Sequence, residues 1–189
     1  MHARCMRAGG KFMSGSFLGV DYLFIGMVLI VNAAWLQGKT DSYDVGIFNL
    51  FVGVLATATA LYFGLIEHNY PLAAGGLLFG MTYLWVGWNA VRGATDQRAL
   101  GIYCELVAFV TIPYLIKAFL CGDLGWTFEW ISYGTLWYMF YQLHTVKRPW
   151  ILKPTIAMTY FVGIEVAITG WLYLYGYWPF GNWWPVVHK

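Results

Sequence analysis

Apolar residues run through this chain in six long blocks, at 17–36, 45–66, 72–91, 99–120, 127–146 and 155–178, and the connections between them are short and polar. Each block is close to the roughly 20 residues that an α-helix needs to cross the hydrocarbon of a bilayer. The pattern predicts an all-α polytopic membrane protein, six transmembrane helices in a compact bundle, with no room for a soluble domain. Residues 1–16 read as a disordered leader, 17–178 as the membrane domain and 179–189 as a tail.

Composition supports this. Hydrophobic residues make up 60% of the 189, charged residues 11%, and the mean hydropathy is +0.58; a soluble domain carries about 25% charged residues. The net charge of +2 matters less than its placement. Connections 37–44, 92–98 and 147–153 hold Lys39, Arg92, Arg98, Lys147, Arg148 and Lys153, while 67–71 and 121–126 hold no Lys or Arg. Positive residues stay cytoplasmic, so both termini are expected outside. The basic leader, with Arg4, Arg7 and Lys11, runs against that orientation; Met13 directly precedes the first block, and the leader is expected to be an over-extended start. Ahead of an uninterrupted span it does not read as a cleaved signal peptide.

Catalytic chemistry finds little to work with. Cys5, Cys104 and Cys121 are odd in number and lack C-x-x-C spacing, so they specify neither a disulfide framework nor a metal site. His2, His68, His144 and His188 fall in connections, block ends or the leader, and no pair shares a helix face at metal-ligand spacing. No phosphate-cradling glycine loop or serine with a neighbouring base occurs. No enzyme, cofactor or nucleic-acid partner is expected.

Ionisable groups inside the blocks are candidates for function, because lipid makes them costly. Asp21 and Lys117 each lie about a turn from a block end and are expected to snorkel to the headgroups. Glu105 carries no specific reading. Glu165 lies near the middle of a block bounded by Pro154 and Pro179, beyond the reach of snorkelling, and is expected to face a partner or a wet cavity. Aromatic residues make up 20% of the chain, eleven of them Trp. Trp171, Trp178, Trp183 and Trp184 read as an interfacial belt. Inside the blocks, Trp130, Tyr133 and Trp137 recur at helical spacing, as do Phe79 and Tyr83, while Tyr22, Ile25, Leu29 and Asn32 form a stripe ending in an amide. Rings so spaced also fill ordinary cores. Gly76 and Gly80, four apart, and Gly46 and Gly53, two turns apart, permit close helix approach.

The stretches GMVLIVN (26–32), FNLFVG (48–53), LLFGMTYLWVGWN (77–89), VAFVTIP (107–113) and YGTLW (133–137) resemble the AmiS/UreI family of amide and urea channels. The likeness runs through all six blocks, densest at 77–89. It implies a channel domain at 17–178 with a proton- and ion-tight pore for small neutral solutes, in a hexameric ring in the bacterial inner membrane, serving a cytoplasmic urease or amidase. Carried over, the pore lining is Tyr22, Ile25, Leu29, Asn32, Phe79, Tyr83, Trp130, Tyr133, Leu136, Trp137 and Glu165. Tyr22 stands at an aliphatic site of the family and Tyr133 at a tryptophan site, each adding a hydroxyl to the wall. Acid-activated members carry long histidine-rich outer loops; here the outer connections are short, and His68 is the single pH-sensing candidate. A passive channel for urea or a small aliphatic amide is the expected function. A proton-coupled carrier using Glu165, Asp21 or Glu105, or a scaffold without transport, are the alternatives.

Overall fold

The computed structural model describes residues 12–180, with side chains from Phe17 onward. The expectations for the leader, for Cys5, His2 and His188, for Trp183 and Trp184 and for most of the tail lie outside the described residues.

Six α-helices follow one another: α1 Phe12–Leu36, α2 Ser42–Leu65, α3 Tyr70–Val91, α4 Arg98–Leu120, α5 Leu124–His144 and α6 Leu152–Leu174, with a 3-10 turn at Pro149–Ile151 before α6. Among the described residues there is no strand. At 1.5 Å rise per residue, helices of 21 to 25 residues are about 31–38 Å long, enough for the roughly 30 Å of hydrocarbon. Four of them, α1, α2, α4 and α6, are long and apolar enough to cross a membrane by length and composition. The other two are less apolar because α3 and α5 are rich in glycine, tyrosine, tryptophan and polar residues, some buried in the bundle, such as Tyr83, Asn89, Glu129 and Trp137, and others on its outer surface, such as Trp88 and Tyr138.

Local signals set the helix ends. Asp41, Asn69 and Asp123 cap α2, α3 and α5 by accepting from the backbone N–H of Asp44, Leu72 and Trp126. Gly38 and Gly176, both at φ 72°, stop α1 and α6 in the left-handed conformation that glycine adopts without penalty. The Asp123 cap starts α5 at Leu124, three residues before the apolar block, and Pro154 lies in the first turn of α6, where its missing N–H costs no helical bond.

The helices close into a ring in chain order, with α1 also touching α6, and three pairs pack most tightly: α1 with α6, α2 with α3, α4 with α5. Glycines seven residues apart make two of those approaches. A Cβ on Gly26 would lie 2.5 Å from the Ala167 nitrogen, and one on Gly170 2.5 Å from that of Leu23. Between α2 and α3, a Cβ on Gly53 would lie 2.7 Å from the Leu84 nitrogen and one on Gly87 2.8 Å from the Gly46 carbonyl. A two-turn repeat of small residues aligns backbones along a shallow crossing. Gly46, Gly53, Gly76 and Gly80 all lie on the α2–α3 contact; the α1–α6 seam, with Gly19, Gly26, Gly163 and Gly170, went unread in the sequence. Large apolar side chains, among them Phe51, Phe109, Phe119 and Phe161, cover the outside of the ring.

Candidate functional site

The tight pairing of helices leaves space where α1, α3, α4 and α5 converge, and a cavity of about 280 Å³ occupies it. It begins at the end of the bundle that carries the basic connections, among Trp35, Gln97 and His144, and runs inward past Asn32, Leu29, Thr82 and Leu136 to Phe79, Tyr133 and Trp137. Only α2 contributes nothing to its wall. Three rings close its inner end. Phe79 meets Tyr133 edge-on at 5.1 Å, interplanar angle 89°, and Trp137 at 4.7 Å; Tyr133 and Trp137 lie 6.4 Å apart at 83°. These separations fall in the range of favourable edge-to-face contacts, so the rings form a packed knot rather than a loose cluster. The Trp137 indole N–H donates to the Thr82 hydroxyl at 3.3 Å, which fixes the indole plane.

The polar atoms of the wall are mostly engaged. Asn32 and Asn49 exchange amide hydrogen bonds at 3.0 and 2.7 Å across α1 and α2, and the Asn49 amide also donates to the Val45 carbonyl at 2.8 Å. Asn32, at the cavity wall, keeps one N–H and one lone pair free for a solute. The Gln97 side-chain oxygen accepts from Asn89, and His144 stacks on Phe140 at 5.7 Å with planes 5° apart.

Beyond the knot the interior is filled. Trp130 packs on Tyr114 at 4.4 Å, and Trp126 lies among Tyr22, Trp130, Tyr173 and Trp178. The Trp126 N–H donates to the Tyr173 hydroxyl at 2.7 Å, and the Trp178 N–H to Asp123 Oδ2 at 3.1 Å. The segment after α6 folds back over the start of α5, where the Leu124 N–H donates to the Phe180 carbonyl. Trp178, expected in the lipid belt, is therefore buried, whereas Trp171 is half exposed.

Of the residues singled out in the sequence, Leu29, Asn32, Phe79, Tyr83, Tyr133, Leu136 and Trp137 share the one cavity. Tyr22 and Ile25 line a much smaller hollow together with Phe79. Trp130 is buried outside both. Glu165 of α6 faces Ser132 of α5 and lines neither space. His68 is exposed in the α2–α3 connection at φ 51°. Asp21 does not snorkel: it is 2% exposed, turned into the bundle between α1 and α2. Cys121 is disulfide-bonded, a pairing that count and spacing had not announced.

Several interior residues went unread. Glu129 is 2% exposed and accepts from the Tyr133 hydroxyl at 2.6 Å and from the Thr169 hydroxyl of α6. Glu129 already fell inside the 127–146 block, four residues before Tyr133 on the aromatic stripe, and the Asp123 cap, by starting α5 at Leu124, moves it from the end of the span to a turn inside. Thr82, Gln97 and His144 carried no such signal, because only packing brings the middle of α3, the start of α4 and the end of α5 to one wall.

A ring of helices, apolar outside and enclosing an aromatic-lined cavity, fits a polytopic membrane transport protein. The profile of the AmiS/UreI family transporters matches residues 17–177, and the chain belongs to that family. It is similar to a Mycolicibacterium smegmatis protein named as a transporter of amidate substrates, 30% identical over 172 residues, covering 86% of this chain and 79% of the relative. It is 29% identical over 195 residues to the acid-activated urea channel of Helicobacter pylori, covering 85% of this chain and 99% of that one. The crystal structure of the Helicobacter pylori urea channel superposes with a TM-score of 0.75 at 27% identity, over 85% of this chain and 99% of that one. Its closed state, seen by electron cryomicroscopy, gives 0.72 at 29%, over 82% and 96%. The protein is accordingly a membrane transporter and not an enzyme.

Proposed function

We propose that the chain is a passive channel for urea or small aliphatic amides, with all six helices crossing the membrane, both termini outside, in a hexameric ring in the bacterial inner membrane. The observation that carries this reading is the cavity itself. It is open at the basic end, lined mainly by aliphatic and aromatic side chains, and closed at mid-bundle by the Phe79–Tyr133–Trp137 knot. A flat neutral solute can slide between ring faces while giving up few hydrogen bonds. Desolvating an ion there costs far more than the roughly 2–7 kcal/mol of one unpaired polar group. Asn32, Thr82 and Gln97 supply sparse polar partners, so binding stays weak enough for release. Relatives named for urea and for amidate substrates support the solute class. The apolar flanks and their small residues suit packing against identical neighbours.

A specific observation favours a second reading. Asp21, Glu129 and Glu165 lie within the bundle and form no salt bridge among the described residues. Buried acids of that kind serve proton relays in carriers. Flux of urea and acetamide into proteoliposomes separates the two: a channel equilibrates both solutes with or without a proton gradient, and accumulation that follows the gradient would establish the carrier.

A further inference from the structure

Asn49 of α2 is 0% exposed and lines no part of the large cavity, yet it is hydrogen-bonded twice to Asn32, which does. Three bonds order the pair. The Asn49 amide donates one N–H to the Val45 carbonyl at 2.8 Å, and because a carbonyl can only accept, that bond fixes which end of the Asn49 amide is nitrogen. Its other N–H donates to Asn32 Oδ1 at 2.7 Å, and Asn49 Oδ1 accepts from Asn32 Nδ2 at 3.0 Å. A backbone carbonyl of a helix outside the wall therefore decides how the Asn32 amide is turned. Stability alone does not call for this pair, since two apolar side chains of the same shape in its place would be nearly neutral. What the pair does is spend part of the Asn32 hydrogen-bonding capacity on Asn49 and hold the rest, one N–H and one lone pair, at set positions.

We propose that Asn49 is a positioning residue for solute selection: it locks the Asn32 amide so that the spare lone pair and N–H meet a permeating solute in one arrangement. The role rests on the channel reading, in which Asn32 lies on the conduit between the basic mouth and the aromatic knot. The spare N–H serves the carbonyl of any amide, whereas the spare lone pair serves only a solute with an N–H of its own. A locked amide thus favours N–H-bearing solutes. An amide free to turn offers oxygen or nitrogen to whatever it meets and discriminates less, as adaptable binding surfaces do. Selectivity accordingly depends on a side chain that touches no solute.

Propionamide and N,N-dimethylformamide are isomers, the first with two N–H donors and the second with none. Their fluxes into proteoliposomes of the full chain, corrected for leakage through protein-free vesicles, give a preference ratio. The wild-type protein should favour propionamide. Asn49→Leu should lower the ratio about fivefold, the worth of one net hydrogen bond, and so should Asn32→Leu. The double variant should show the same lowered ratio, because residues that act through one group do not add. Asn49→Thr decides the question if Asn49→Leu does not assemble. The buried Thr155 and Thr159 donate to the carbonyl four residues back, so the hydroxyl of Asn49→Thr is satisfied by Val45 while Asn32 is released. A merely structural Asn49 would lower both fluxes together and leave the ratio alone. A ratio within about twofold of wild type in an assembled Asn49 variant, the size of a negligible hydrogen bond, therefore overturns the proposal. So does a fall in the double variant equal to the product of the single falls, or a wild-type protein indifferent to the two isomers. Absence of any urea or amide flux through the wild-type protein overturns the channel reading, and the positioning role with it.

Discussion

The Tyr133 hydroxyl points away from the passage its ring helps to close and donates to Glu129 Oε2 at 2.6 Å, one turn back along α5. Thr169 of α6 donates to the other carboxyl oxygen. Glu129 thus ties the aromatic knot to the neighbouring helix, and the knot's position depends on a group outside the conduit. Removing the hydroxyl should loosen the tie without changing the wall that a solute meets. Tyr133→Phe is expected to lower stability by about 1–2 kcal/mol, as loss of one buried hydrogen bond does. Its ratio of urea to propionamide flux should stay at the wild-type value. Thermal unfolding in detergent together with the flux ratio checks this; a changed ratio at unchanged stability would show that the hydroxyl faces the solute.

Trp137 contacts both other rings of the knot and lines the cavity, whereas Trp171 lies half exposed on the outer surface of α6. Trp137→Ala should widen the passage and reduce discrimination between urea and larger amides, and Trp171→Ala should leave it unchanged. Selectivity is a difference between solutes, so the measured quantity is a ratio of fluxes. Equal behaviour of the two variants would remove Trp137 from the selective element.

Glu165 of α6 faces Ser132 of α5 within the bundle. In a passive channel, Glu165→Gln preserves shape and polarity and should keep more than half of the flux, while Glu165→Leu should lose more of it. Complete loss of flux in an assembled Gln variant would point to proton coupling.

Between about pH 5 and about pH 7.5 the flux should change less than tenfold, and His68→Ala should be nearly silent, because a strong population shift needs about 5.5 kcal/mol and one pKa unit supplies about 1.4. The connections at the end away from the basic loops are short, residues 66–69 and 121–123. At the basic end, the Arg98 guanidinium holds Asp96 below the ordinary carboxylate range, and the Asp44 backbone N–H does the same for Asp41. The sign is that of a depressed carboxylate: its contribution is complete above the unfolded value and disappears only as pH falls through the folded one. Both values lie below the window, so neither group titrates in it. Urea uptake at the two pH values decides the matter, a tenfold rise on acidification being the contrary result.

Helix number, approximate length and the faces of Gly46, Gly53, Trp130, Tyr133 and Trp137 were legible in the sequence, because apolar blocks and helical spacing are local properties of the chain. Which side of the membrane domain each polar residue would occupy was not. Asp21, near a block end, could have reached the headgroups or the interior; the Gly26 and Gly170 contacts that seat α1 against α6 turn it inward beside Thr59. Asn32 finds Asn49, Phe79 finds Tyr133 and Trp137, and Trp178 returns to Asp123, all across separations no periodicity encodes. Whether a polar side chain in a bundle faces lipid, a partner or an open passage depends on the rotation of its helix about its own axis. That rotation is fixed only when all six helices have packed.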